Sequence, residues 1–283
     1  MSHIIVQGFL LSGLYALIAV GFTMIFSVGR VLNLAYGVYI MLGGYAYYVA
    51  AQFLGMPKIL SFVFAVLVGV MFGILTYLIL VRRLEHDPVK VEISTLILAV
   101  VMQSLIILVF NAAPKSMWPL IPGALHFEGM SITNNVLLAM IVSWLVLGGL
   151  MVFIHRTHLG RAIQAVSMDR KGAIVSGIDP HRINLITWAI SGALGAIAGV
   201  FFATYTQLAP GMWVAPLIIA VAVVIVGGIG SIVGSLVAAH VIGFMETITT
   251  TLITPELRGV FTMILIIVVL VAAPKGLFGK QDL

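Results

Sequence analysis

Apolar runs separated by short polar stretches occupy nearly all of this 283-residue chain. They fall near residues 4–27, 32–54, 59–81, 93–112, 134–154, 183–208, 213–227, 232–250 and 258–273. Most approach about 20 residues, enough to cross a hydrocarbon core about 30 Å thick at 1.5 Å per residue. Barrel strands would instead alternate in segments of about ten residues. The pattern therefore predicts an all-α integral membrane protein, a polytopic helical bundle of about 8–9 transmembrane helices. Treating 213–250 as one re-entrant element would remove two crossings and leave the sidedness of the termini unchanged.

Composition agrees: 62% of residues are hydrophobic and 8% charged, and the mean hydropathy is +1.22. That leaves too little polar surface to cover a soluble globule of this size. No Lys or Arg precedes the first run, and that run is long for a signal-peptide core, so the first helix is expected to stay. With no cysteine, disulfides and thiolate-bound metals are excluded. The net charge of +5 does not point to nucleic acid, because the basic residues lie in short loops between apolar runs.

Those loops set an orientation. With the N-terminus outside, Arg30, Arg82, Arg83, Lys90, Arg156, Arg161, Arg170, Lys171, Arg182, Lys275 and Lys280 face the cytoplasm. Only Lys58, Lys115 and Arg258 face out. The positive-inside rule therefore places the N-terminus outside and the C-terminus in the cytoplasm of a multi-pass inner-membrane protein.

The largest inner loop, about 155–182, contains SMDRKGAIVSGIDPHRI, which carries five charged residues and a His in an otherwise apolar chain. Ser167 or Asp169 can cap a short helix there; Ala173, Ile174 and Val175 give it an apolar side; Gly177 with Asp179-Pro180 stops it. A short amphipathic helix along the membrane surface is expected. On these residues alone, a charged loop that stops translocation and a docking element for a soluble partner both remain open.

No residue pattern supplies a nucleotide site, since Gly276, Gly279 and Lys280 do not form a P-loop frame. Gly227-Gly228-Ile229-Gly230-Ser231 lies between apolar runs rather than after a strand, which argues against dinucleotide binding. Spacings Gly195 to Gly199 and Gly230 to Gly234 suit close helix crossing. His155 and His158 lack a third metal ligand. His240 and Glu246 lie six residues apart inside one apolar run, so they do not share a helix face, and Glu246 is expected near the outer interface. Neither H-E-x-x-H nor G-x-S-x-G is present, so an enzyme is disfavoured. A passive small-solute channel and a secondary transporter remain as rival classes.

Four stretches carry a family resemblance: GLYALIAVGFTMIFSVGRVLNLAYGVYIMLGGYAYYVA, RAIQAVSMDRKGAIVSGIDPHRINLITWAISGALGAIAGVFFA, VGGIGSIVGSLVAAHVIGFME and PKGLFG. In this order and spacing the chain resembles the permease subunits of branched-chain amino-acid ABC importers, related to ribose-type and urea-type permeases. The resemblance implies a single type II importer-like permease domain, residues 1–283, with broken helices. It also implies a second permease subunit completing a heterodimer, two cytoplasmic ATPases that bind ATP and Mg, and an extracytoplasmic solute-binding protein. This chain itself would bind no cofactor, and its remaining partner would be membrane lipid. Met168 to Ile178 would be the coupling helix, with Asp169, Ala173 and Gly177 matching the family's acidic, small and helix-ending positions. Arg170 and Lys171 would contact the ATPase at its rim.

In the second run, Asn33 and Tyr36 are polar, Gly37 allows a helix break, and Gly43-Gly44 permits close packing, which makes this run the candidate translocation path. Tyr45, Tyr47 and Tyr48 read as an outer aromatic belt. Gly227, Gly228 and Gly230 are the candidate gate or helix break. The resemblance departs at one place: the family commonly reads N-[FL]-A-H-G-E where this chain has Asn33-Leu34-Ala35-Tyr36-Gly37-Val38. Branched-chain amino acids are thus the family's default cargo, with urea, short amides and organic acids also open.

Overall fold

The computed structural model describes residues 2–127, 130–254, 257, 259–273 and 276–278. Arg258, Lys275 and Lys280 of the charge pattern, and Pro274, Lys275 and Gly279 of the PKGLFG stretch, lie outside the described residues.

The apolar runs become helices within a few residues of their expected positions. They are α1 (Ser2–Gly29), α2 (Tyr36–Tyr48), α3 (Lys58–Thr76), α5 (Pro88–Phe110), α6 (Asn134–Arg156), α9 (Pro180–Thr206), α10 (Val214–Gly227), α11 (Ile232–Leu252) and α12 (Val260–Ala272). A π-helical turn, Val49–Phe53, continues α2, and another, Tyr77–Val81, joins α3 to the single turn α4 (Arg82–Leu84). Among the described residues, six helical spans are long and apolar enough to cross a membrane: Ile4–Gly29, Lys58–Leu84, Pro88–Phe110, Asn134–Arg156, Pro180–Thr206 and Ile232–Leu252. Val214–Gly227 and Val260–Ala272 are shorter apolar helices. The chain is thus a polytopic helical bundle.

Two features carry no long apolar signature. Residues 124–133 hold a small antiparallel hairpin, β1 (Ala124–Phe127) against β2 (Met130–Thr133), with Leu125 paired to Ile132. The inner loop holds two helices rather than one, α7 (His158–Met168) and α8 (Arg170–Val175).

Helix α1 runs through the centre, against α6, α9, α10 and α11, while α2 is sandwiched between α3 and α9. Nearly every residue of α2 is buried, including Tyr45 at 2% exposure and Tyr47 at 0%. The expected outer belt is therefore core packing, because hydropathy does not distinguish an enclosed aromatic from an interfacial one.

Backbone contact at glycine holds this centre together. A Cβ on Gly43 would meet the backbone of Ala196, and one on Gly199 would meet the carbonyl of Ile40. Across the neighbouring seam, a Cβ on Gly69 would strike Gly192, and one on Gly73 would strike Trp188. Lipid is as apolar as leucine, so helices gain by approaching closely rather than by burying apolar surface. Gly230 does not serve as expected: it sits in a turn at φ +83°, and Gly227 is the residue that packs on Gly234.

Polar bonds add register. Thr23 and Ser235 hydroxyls lie 2.7 Å apart, Ser191 donates to the Gly21 carbonyl at 2.6 Å, and the Tyr15 hydroxyl donates to Glu246 at 2.8 Å.

Gly192→Val should therefore lower the melting temperature in detergent, since overpacking a tight seam costs about 1–3 kcal/mol. Gly148→Val, facing open space in α6, should leave it unchanged or slightly higher.

Candidate functional site

The inner loop is built by a succession of caps. Thr157 accepts from the Gly160 amide at 2.9 Å and starts α7. Gly160 lies against the backbone of Phe153 and Ile154, so α7 folds tightly back on the end of α6. Its buried residues, Gly160, Ile163 and Val166, recur every three positions along one face. That spacing is present in the sequence, but it spans only two turns and lies beside the stronger charge cluster of residues 167–182.

Asp169 ends α7 and caps α8, accepting from the Lys171 amide at 2.9 Å. At the other end Gly177 adopts φ +80°, the Gly177 amide donates to Ile174, and the Ile178 amide donates to Ala173, both at 3.0 Å. This paired arrangement is a Schellman stop, which favours glycine at the left-handed position. Asp179 then accepts from the His181 amide at 2.9 Å and opens α9 with Pro180 in its first turn.

Within α8, Ala173 does not share a face with its two followers. Ala173 is buried at 4%, whereas Ile174 is 55% and Val175 89% exposed. Consecutive helical residues are about 100° apart, so three in a row cannot form one side. Met168 and Lys171 are exposed as well. Arg170 turns inward: its Nη2 lies 3.0 Å from Glu85 Oε1.

Glu85, which the sequence reading passed over, sits in the turn after α4 with its side chain 7% exposed. His181 Nδ1 approaches the same Oε1 at 3.6 Å and the Tyr77 hydroxyl at 3.2 Å. Its signal in sequence is weak, a lone carboxylate following an Arg pair. Nearby Asp87 caps α5, and the Lys90 side chain hydrogen-bonds to its carboxyl and holds it below the usual carboxylate range. Arg30 reaches the carbonyls of Ser167 and Met168 at 3.5 Å, so the inner loop, the start of α9 and the α3–α5 corner converge at one end of the bundle.

The second-run candidates lie deeper. Asn33 and Tyr36 are 1% and 0% exposed. Asn33 Nδ2 and Tyr36 Oη are buried without a hydrogen-bond partner among the described residues. The break in the chain precedes α2 rather than falling at Gly37: residues 30–35 leave helical geometry, with Arg30 at φ 52°. Gly37 is inside α2, where a Cβ would meet the Trp213 carbonyl.

Gly227 ends α10, and Gly228 and Gly230 lie in the turn that leads to α11. Ser231 caps α11 by accepting from Gly234 at 3.0 Å, and the Leu277 and Phe278 amides donate to Val226 and Gly227 at 2.9 and 3.1 Å. The turn is therefore packed under the chain's own tail.

At the opposite end of the bundle, a cavity of about 500 Å³ opens between α1, α6, α9 and α11. Gln7, Leu14, Asn135, Thr204, Glu246 and Thr250 contribute to its wall. Glu246 is 5% exposed and faces this cavity. His240 is directed elsewhere, its Nδ1 2.7 Å from the Leu236 carbonyl and its ring near Trp144 and Phe9. His155 and His158 each have a local contact, to the Met151 carbonyl and to Arg161.

Asp169→Ala should remove about 1 kcal/mol of cap stabilisation, and Gly177→Ala should cost roughly 1–2 kcal/mol at its left-handed position. Both should appear as faster amide hydrogen exchange across residues 170–176, with the α9 amides unchanged.

The chain matches the family described as branched-chain amino acid transport system / permease component over residues 4–270. It is 29% identical to the high-affinity branched-chain amino acid transport system permease protein BraD of Pseudomonas aeruginosa, over 98% of this chain and 95% of that one. It is 28% identical to LivH of Escherichia coli K12, a permease protein with the same description, covering 98% and 94%. The fructose import permease protein FruG of Bifidobacterium longum is 25% identical over 80% of this chain and 71% of its own length. No solved structure matches the chain. With apolar spans throughout and a family match across almost their whole extent, this chain belongs to the branched-chain amino acid transport permeases.

Proposed function

We propose that this chain is the membrane-spanning subunit of an ATP-binding-cassette importer, oriented with its N-terminus outside and its C-terminus in the cytoplasm. The observation that carries the reading is α8, a helix stopped at both ends and displaying Lys171, Ile174 and Val175 from a bundle that matches a permease family along its length. Small apolar groups ringed by charge suit a groove on a soluble partner, with charge fixing orientation more than affinity. Asp169 and Gly177 shape this helix, Ala173 seats it, and Arg170 holds it from behind.

ATP and Mg would be bound by two cytoplasmic ATPases. A second permease subunit would complete the membrane pathway, and an extracytoplasmic binding protein would deliver solute to the end bearing the cavity. Branched-chain or related amino acids are the proposed cargo. Urea and short amides are the runner-up, motivated by Tyr36 and Val38 in place of the family's His and Glu.

The solute path is proposed beside Asn33, Tyr36 and Gly37, with the Gly227, Gly228 and Gly230 turn as its inner gate. Support comes from the unpaired polar atoms of Asn33 and Tyr36, since such groups at membrane depth normally face partners, water or a cavity.

Reconstitution with the partner subunits in liposomes tests the whole reading. ATP-dependent uptake of radiolabelled leucine, competed by isoleucine and valine but not by urea or acetamide, is expected; solute conduction by an assembly lacking any ATPase would refute it. Val175→Glu should reduce ATPase co-purification at least about tenfold, with membrane insertion unaltered. Because the chain is free of cysteine, Asn33→Cys and Tyr36→Cys can be probed directly. Both should react with a membrane-impermeant thiol reagent during turnover, and protection in the transporting complex would remove them from the path.

A further inference from the structure

We propose that Glu85 is the positioning residue through which α8 pulls on the membrane helices, its ion pair with Arg170 acting as the tether. The inference rests on the importer reading and extends it to a residue outside the four stretches that carry the resemblance. An element gripped by a soluble ATPase does work only if its displacement reaches the bundle. Helix α8 is six residues long, with one buried side chain, Ala173. Its covalent continuation into α9 passes through Ser176, Gly177 and Ile178, where the backbone takes a left-handed turn. Its strongest described lateral hold is the 3.0 Å contact from Arg170 to Glu85.

Glu85 is well placed to carry force. It follows directly on α4 and the π-helical turn Tyr77–Val81, where the hydrogen-bond ladder of α3 is already disturbed. Such turns yield more readily than regular helix and recur at functional positions. The same carboxylate oxygen faces His181 in the first turn of α9, and His181 in turn faces Tyr77. The Tyr77 ring packs near Trp188, whose backbone lies against Gly73 of α3. Arg170, Glu85, His181 and Tyr77 thus join the docking helix, the start of α9 and the end of α3 at one point.

The chemistry of the pair suits this role. Glu85 is almost enclosed, and its Oε2 is buried without a hydrogen-bond partner among the described residues. A carboxylate held in that way depends on the guanidinium in front of it, because an enclosed charge deprived of its partner is strongly disfavoured. Movement of Arg170 therefore has to carry Glu85 along. The exposed pairs nearby, Lys90 with Asp87 and Arg182 with Asp179, join residues three apart on one helix end and transmit nothing between elements.

The test uses the complete importer in liposomes, with radiolabelled leucine as the probe and with uptake and ATP hydrolysis measured together. Glu85→Gln should assemble with the ATPases and leave solute-stimulated hydrolysis intact, while leucine imported per ATP falls about tenfold. The charge exchange Glu85→Arg with Arg170→Glu should recover most of that ratio. Unchanged leucine per ATP in Glu85→Gln overturns the proposal.

If either variant assembles poorly, a second route decides. Glu85→Cys with Arg170→Cys, on this cysteine-free chain, should show the low ratio until a reductant-cleavable bis-maleimide joins the pair. Cross-linking should then raise the ratio and reductant should lower it again. A ratio that stays low after complete cross-linking overturns the tether. Absence of ATP-driven leucine uptake by the wild-type importer would instead refute the transport reading itself, and the two failures are distinguishable.

Discussion

Close backbone contact along α9 is the constraint on which the rest of this structure depends. Inside a bilayer, apolar side chains gain little by leaving lipid for protein, so helix association rests on van der Waals fit and a few interhelical hydrogen bonds. Here that fit is concentrated where Gly192, Ala196 and Gly199 face Gly69, Gly43 and Ile40. Helices α1, α2, α3 and α6 all pack on α9. Because only four residues separate α8 from α9, the helix that makes these close backbone contacts is also the one next to the proposed docking helix.

The two ends of the bundle differ accordingly. One end is charged and stitched by caps and ion pairs, with Glu85 receiving Arg170 and His181 on one oxygen. The other end has the hairpin, the paired backbone of Lys115 and Leu208, and a cavity faced by Glu246. Such a division suits the proposed importer, in which energy would enter at the first end and solute at the second.

Much of the fold was legible as period and length. The apolar runs locate the helices to within a few residues because each must satisfy its own backbone hydrogen bonds inside lipid, which ties hydropathy directly to helix. Asp169, Gly177 and Asp179-Pro180 were legible for a similar reason, since capping acts over three or four residues and needs no distant partner. The hairpin escaped notice because its strands are four residues long and its stabilising contacts lie outside the apolar pattern. Tyr45 and Tyr47 were misassigned because an aromatic at a helix end looks the same in sequence whether lipid headgroups or other helices surround it.

Local chemistry written in consecutive residues was enough to establish a polytopic helical protein, its largest charged loop, the capped helix within that loop, and the resemblance to importer permeases. Which way each side chain of that helix turned depended on elements far away in the chain. Ala173 became a seat, Ile174 and Val175 an exposed face, and Arg170 an inward hold because the α3–α5 corner and the start of α9 lie behind α8. The same holds for Gly227 rather than Gly230 at the α10–α11 crossing, and for the cavity that Glu246 faces. Sequence encodes such contacts only through the packing of whole helices, and an 85-residue separation like that between Glu85 and Arg170 leaves no local periodicity from which to read it.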